Sequence, residues 1–138
     1  MPTYLLKPAV GKIGKLDWNV VRRIATLFNT SLPATAIRLV EANIVPSLLV
    51  CHRPGGRAWF VRASDVPEHW FPQDQLSTES TAFSLLMQGG GNERATKISA
   101  DAWFDRRGCE RFEIEEQACL SSTGDVLSLL NIIDRGMI

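Results

Sequence analysis

Cys51 and His52 stand side by side, a thiol and an imidazole that would make a nucleophile–base pair if they converged. On a strand, neighbouring side chains point to opposite faces, so this pair makes no dyad within one strand and Cys51 reads as a core residue. Cys109 sits in "DRRGCER", where Arg106, Arg107 and Arg111 could stabilise a thiolate. Its plainer reading is a loop cysteine whose basic neighbours pair with Asp105 and Glu110. Glu113, Glu115 and Glu116 offer carboxylates for acid–base work or a divalent ion. Glu113 and Glu115 share one strand face, opposite Phe112 and Ile114, which predicts the wet side of an amphipathic strand. "QGGGN" (88–92) lacks the Gly-Lys-Ser/Thr of a phosphate loop and reads as a helix stop.

The richest cluster is "RAWFVR" with "EHWF". It brings Arg57, Trp59, Arg62, His69 and Trp70 close in sequence, with Phe60 and Phe71 between them. Arginines among aromatics suit a small-ligand pocket or a partner surface. The alternative is that the rings close a small core and the arginines lie over them.

The elements that position these residues follow from periodicity. Asp17 is a good N-cap, and Val20, Val21, Ile24, Leu27 and Phe28 recur at helical spacing. Asn29 can end that helix in the left-handed conformation. Ser31 can cap the next, with Pro33 in its first turn. Residues 47–52 and 57–62 read as strands joined by "RPGG", a hairpin in which Gly55 and Gly56 can take positive φ. Residues 66–75 read as a loop, and 77–91 as a helix capped by Ser77 or Thr78. Residues 94–104 contain a short strand. Residues 111–120 read as a half-exposed strand, and "DVLSLLNII" (125–133) as a central strand, with a helix as the alternative. The first 15 residues, punctuated by Pro2, Pro8, Gly11 and Gly14, read as extended or irregular.

The order of elements predicts an α+β chain. Residues 1–45 hold an extended segment and a helix-turn-helix-like pair. Residues 46–138 form an antiparallel sheet covered by a helix on one face. The helical lead-in is too small to be secure alone and should dock on the sheet or on another chain.

The 138 residues are 45% apolar and 22% charged, enough to bury a core. Net charge is zero, with no overall electrostatic footprint for nucleic acid or an anionic membrane. Residues 1–43 carry six basic and two acidic side chains, however, and so are net positive, leaving residues 44–138 net negative. No apolar run reaches the ~20 residues of a membrane span. Three cysteines without paired spacing, and a start unlike a signal peptide, predict a cytoplasmic protein with reduced thiols.

Several segments together resemble the C-terminal part of the ImmA/IrrE family of bacterial regulatory metallopeptidases. "MP" at residues 1–2 resembles the end of that family's "LLMP". "IATLFNTSLPATAIRLVE" (24–41) resembles its "LAxxFxVSxxAxxxRLxxL" helical pair, with Ile24, Ala25, Phe28, Ser31, Ala34, Arg38 and Leu39 on the pattern. "VPSLLVCHRPGGRAWFVRASDVP" resembles the hairpin that follows in longer members, whose C-terminal domain is described as GAF-like and proposed to sense a signal. The family's H-E-x-x-H zinc motif is missing, since His52 and His69 are the only histidines. The resemblance therefore implies a regulatory half without the peptidase: a fragment, a split-gene product or a descendant that lost the enzyme. It implies a GAF/PAS-like, non-catalytic module needing no cofactor. Its partners would be a peptidase domain, a repressor protein or a small-molecule signal.

The competing expectation is a DNA-binding regulator using residues 17–43. Arg22, Arg23, Thr35 and Arg38 are the candidate contacts to DNA or to a repressor. In the common DNA-reading register the sixth and ninth residues after the turn residue are apolar core. Counted from Asn29 these are Thr35 and Arg38, both polar. The exposed face would then offer Thr35, Arg38 and Glu41, without the Asn, Gln or paired Arg suited to base edges.

Overall fold

The computed structural model of the protein describes Leu5, Leu6 and residues 15–138. The glycine- and proline-punctuated start and the Met1–Pro2 pair lie outside the described residues.

Local chemistry sets the two leading helices. The Asp17 carboxylate accepts from the Val20 amide and starts α1 (Trp18–Phe28), which ends at Asn29 in the left-handed conformation (φ 53°). Ser31 caps α2 (Leu32–Glu41), accepting from the Ala34 amide, with Pro33 in the first turn. The chain then forms a hairpin of β1 (Ser47–Arg53) and β2 (Gly56–Arg62). Of the two turn glycines, only Gly56 takes positive φ. The 66–75 loop leads to α3 (Thr81–Gln88), capped by Ser80 rather than Ser77 or Thr78, and stopped by Gly89 at φ 71°. Then come β3 (Thr96–Ser99), β4 (Glu113–Leu120) and β5 (Val126–Ile132).

The fold is α+β, a helical pair followed by an antiparallel sheet. The five strands run in the order β2-β1-β5-β4-β3, every neighbour antiparallel. "DVLSLLNII" is indeed the central strand, buried along its whole length.

Residues opposite one another across an antiparallel ladder share a face. The pairings His52↔Val126, Val50↔Ser128 and Ala118↔Ser128 thus define one face, to which Glu116 also belongs. The pairings Cys51↔Leu127, Ser47↔Asn131 and Glu115↔Asn131 define the other, with Gln117. α3 covers the first face, where Ser80 and Thr81 meet Glu116. The helical pair covers the second. There the Leu16 amide donates to Asn131 Oδ1 (2.8 Å), and the Trp18 amide donates to Gln117 Oε1 (2.8 Å).

The sheet domain's own helix covers one face, as expected, and the helical pair docks on the other, so both faces are covered. The reason is visible in β5, which is apolar on both sides and needs two covers. One hydrophobic cluster runs from Leu16, Trp18 and Ile24 through the sheet to Leu85 and Trp103, so the helical pair docks on the sheet.

Candidate functional site

β1 carries Cys51 and His52 to opposite faces, as alternation requires. The Cys51 thiol lies 4.0 Å from Asp125 on the helical-pair side. The His52 ring turns to the α3 side, edge-on to Trp103 at 5.8 Å between centroids. His52 is 1% exposed, yet neither ring nitrogen has a hydrogen-bond partner. The Gln73 and Asp74 backbones approach the ring and raise its pKa as hydrogen-bond partners do, though neither contact has good hydrogen-bond geometry. Burial, and then the Arg57 charge, hold its pKa below the usual imidazole value; those backbones and the Asp74 carboxylate pull the other way.

His52 borders a small cleft, with about 50 Å³ of space open to a water-sized molecule, whose other walls include Gln75, Leu76, Phe83, Leu86 and Met87. One wall belongs to the loop after β2 and the opposite wall to α3.

Beside Trp103 lies a second buried polar group, Glu116, also 1% exposed. Its Oε2 accepts from Trp103 Nε1 (2.6 Å) and Ser80 Oγ (2.9 Å). Its Oε1 accepts from the amide (2.8 Å) and hydroxyl (3.1 Å) of Thr81. Glu116 points away from Glu113 and Glu115, as alternation along β4 requires, and the predicted wet face of that pair is corrected at Glu115. Glu116 is a core carboxylate that holds the start of α3 on the sheet. Glu115 is buried under the lead-in, in an ion pair with Lys15 (2.6 Å), and of the three only Glu113 is exposed. α3 excludes water from one side and the Lys15–Trp18 segment from the other.

The arginine–aromatic cluster forms in part. Arg57 and Arg62 both stand over Phe60, at 5.6 and 5.3 Å, and Arg57 also lies 4.9 Å from the exposed Phe71 ring. Both arginines grip the 66–75 loop by its backbone. Arg57 donates to the Pro72 carbonyl (2.6 Å), and Arg62 to those of Glu68 (3.1 Å) and Trp70 (3.0 Å). His69 is exposed, its pKa lowered by partial desolvation and then by Arg106 and Arg62. Trp70 is a core residue instead, donating to the Met137 carbonyl (2.6 Å) beneath Arg106. Trp59 does not join the group. It pairs with Cys51 and so faces the helical-pair side. Strand alternation separates Trp59 from Arg62, and the register irregularity opposite Cys51 and His52 separates it from Arg57.

Arg22 and Arg23 are exposed on α1, and Arg38 is half-buried on α2. Thr35 is corrected: it is fully buried, donates to the Ser31 carbonyl (2.7 Å) and shares a hydrogen bond with Thr30 (2.7 Å). It fills the core position of the helix-turn-helix register and can touch neither DNA nor a partner. Cys109 is likewise buried, its thiol donating to the Phe104 carbonyl at 3.3 Å, while Arg111 lies over Phe112 and Arg106 over Trp70. The reactive-thiol reading loses its accessible sulfur.

No group of three or more metal-ligating side chains gathers among the described residues. None of their helices is long and apolar enough to cross a membrane. A scan of protein-family models and a search of curated proteins find no match to this chain.

The His52 environment yields a stability prediction. Replacing an unpartnered buried polar side chain by an apolar one of similar shape removes a desolvation cost. His52→Phe keeps an aromatic against Trp103 and is expected to stabilise the protein by about 1–3 kcal/mol. Because the folded-state pKa lies below the unfolded one, the unfolded chain binds the extra proton as pH falls through about 6.5. The wild type should lose stability there, by at most about 1.4 kcal/mol per pH unit, and the variant should lose less. Urea denaturation from pH 8 to pH 5 measures both, with His69→Gln separating the exposed histidine.

Proposed function

We propose that the chain is a non-catalytic recognition module, the regulatory half of an ImmA/IrrE-like stress-response or repressor-processing protein, with a sheet domain of GAF/PAS-like kind. Its partner surface is the arginine face over the 66–75 loop, and the partner it fits is an acidic segment of a repressor or of a peptidase domain.

The observation that carries this reading is the absence of pairing. Among the described residues, Arg57, Arg62, Arg106 and Arg111 have no carboxylate within ion-pair distance, and each guanidinium stands over an aromatic ring. Phe71, 53% exposed, lies 4.9 Å from the first of these. Planar guanidinium groups over rings keep N–H donors for carboxylates, and an exposed aromatic among them supplies an apolar anchor.

The test is titration of the chain with a Glu/Asp-rich peptide at low and physiological salt. Arg106→Glu and Phe71→Ala are the informative variants, because Arg57 and Arg62 also hold the loop. Each should weaken binding by about tenfold, ~1.4 kcal/mol. No binding at low salt, or binding indifferent to Arg106→Glu, refutes the reading. Exposed Arg22 and Arg23 keep duplex DNA as the competing partner. Salt-dependent DNA binding that disappears with Arg22→Ala and Arg23→Ala together would favour that reading instead.

A further inference from the structure

We propose that His69 is the third cation of the arginine face, and that the acidic partner segment is bound there together with a proton. The proposal rests on the acidic-partner reading and adds to it the control of that surface by pH.

The geometry gathers three basic side chains around one indole. Arg106 stands over the Trp70 ring at 5.8 Å, and the His69 ring meets the same ring at 4.8 Å between centroids, inclined at 62°. Arg62 donates to the carbonyls of Glu68 (3.1 Å) and Trp70 (3.0 Å), the residues on either side of His69. Its guanidinium is thereby pinned beside the histidine's own backbone. Trp70 is itself fixed, buried and donating to the Met137 carbonyl (2.6 Å). The imidazole is exposed, so a partner can reach it.

The free surface disfavours a charge on that imidazole. Among the described residues, the charged groups acting on His69 are Arg106, from the segment between β3 and β4, and Arg62, from the end of β2. Glu68 is adjacent and exposed, but its charge acts on Arg62, and no carboxylate lies within ion-pair distance of Arg62, His69 or Arg106. Partial desolvation and then the two like charges hold the His69 pKa below the usual imidazole value, so the free chain carries it mostly neutral at neutral pH.

A carboxylate brought among these groups reverses the balance. An opposite charge within about 4–6 Å favours the imidazolium, so the pKa in the complex lies above that of the free chain. The complex then holds more protons than the separated partners, and affinity rises as pH falls through the interval between the two values. Below the lower value both states are protonated and the gain stops. One proton allows at most about a tenfold change per pH unit. The arginines cannot supply this dependence, because a guanidinium stays charged throughout. They set the attraction, and His69 sets how it varies with pH.

An N-acetylated Glu-rich peptide, titrated calorimetrically into the full chain, tests this. Titrations run from about pH 7.5 to about pH 5.5, in buffers of different ionisation enthalpy, which count the protons taken up. The wild type should take up a fraction of a proton and bind at least about threefold tighter at the acid end. His69→Gln should take up none and show no such gain. His69→Lys, with a permanent charge, should bind at the alkaline end about as tightly as the wild type at the acid end. In ¹⁵N-histidine spectra the His69 ring should become imidazolium on binding, while buried His52 keeps its neutral signature. Circular dichroism confirms that the variants are folded. Binding that needs Arg106 but takes up no proton overturns this proposal and leaves the acidic-partner reading standing. So does proton uptake that persists in His69→Gln. No binding at any of these pH values ends both.

Discussion

Glu116→Ala is expected to destabilise the protein by roughly 3–5 kcal/mol, the range for breaking a buried, hydrogen-bonded charge network. Four donors lose their acceptor at once: Trp103 Nε1, Ser80 Oγ, and the amide and hydroxyl of Thr81. Each donor left buried and unpaired costs about 1–3 kcal/mol, less whatever water or a shifted side chain recovers. The loss also has a location. Thr81 is the first residue of α3, so the carboxylate complements the exposed amides and positive end of that helix. Glu116→Gln sharpens the argument, because all four partners are donors and an ionised carboxylate is acceptor-only. An amide turns its own N–H groups toward one donor pair, so this near-isostere should cost about 1–3 kcal/mol despite identical shape. Urea denaturation gives both numbers. A Glu116→Ala cost below about 1 kcal/mol would mean that the network adds nothing net to the fold.

The same residue shows where the sequence stops being informative. The features that were legible are local. Asp17 caps a helix that begins one residue later, Asn29 ends it, Ser31 caps the next, and glycine turns the hairpin, each decided within four residues. The apolar run of β5 announces a buried strand for the same reason. Glu116 hides its role because its partners lie 13 and about 35 positions away. Glu115 does so because Lys15 is 100 positions away. Thr35 is the intermediate case. Its partners Thr30 and Ser31 are near in sequence, but its burial depends on how α2 meets the rest of the core. The arginine cluster was half legible. Arg57, Arg62 and the 66–75 loop do converge, and Trp59 leaves because alternation parts it from Arg62 and an irregular register, invisible in the sequence, parts it from Arg57. In the sequence His52 stands out for its neighbour Cys51. What distinguishes it, two unsatisfied nitrogens beside a cleft, exists only once α3 and the loop have packed.

Asn131→Ala is expected to cost about 2–4 kcal/mol, and to show whether the helical pair belongs to the sheet energetically as well as geometrically. The Asn131 carboxamide sits in the buried central strand and binds both backbone groups of one residue. It accepts from the Leu16 amide at 2.8 Å and donates to the Leu16 carbonyl at 2.7 Å. This two-way contact does for the lead-in what a ladder hydrogen-bond pair does for a strand. Alanine leaves a donor and an acceptor of a 1%-exposed residue without partners, at about 1–3 kcal/mol each. Asn131→Asp should be no better: it keeps an acceptor for the amide but sets a carboxylate oxygen against the carbonyl. Hydrogen exchange locates the effect. Protection of residues 16–41 should fall furthest in Asn131→Ala, with β1, β4 and β5 retaining theirs, because only the lead-in loses its anchor. The Trp18–Gln117 contacts and the Lys15–Glu115 pair would then hold the segment. Uniform loss across helices and sheet would instead mark one cooperative unit. In that case anything pulling on α1 and α2 would be felt at β5, the strand that separates the helical pair from the His52 face.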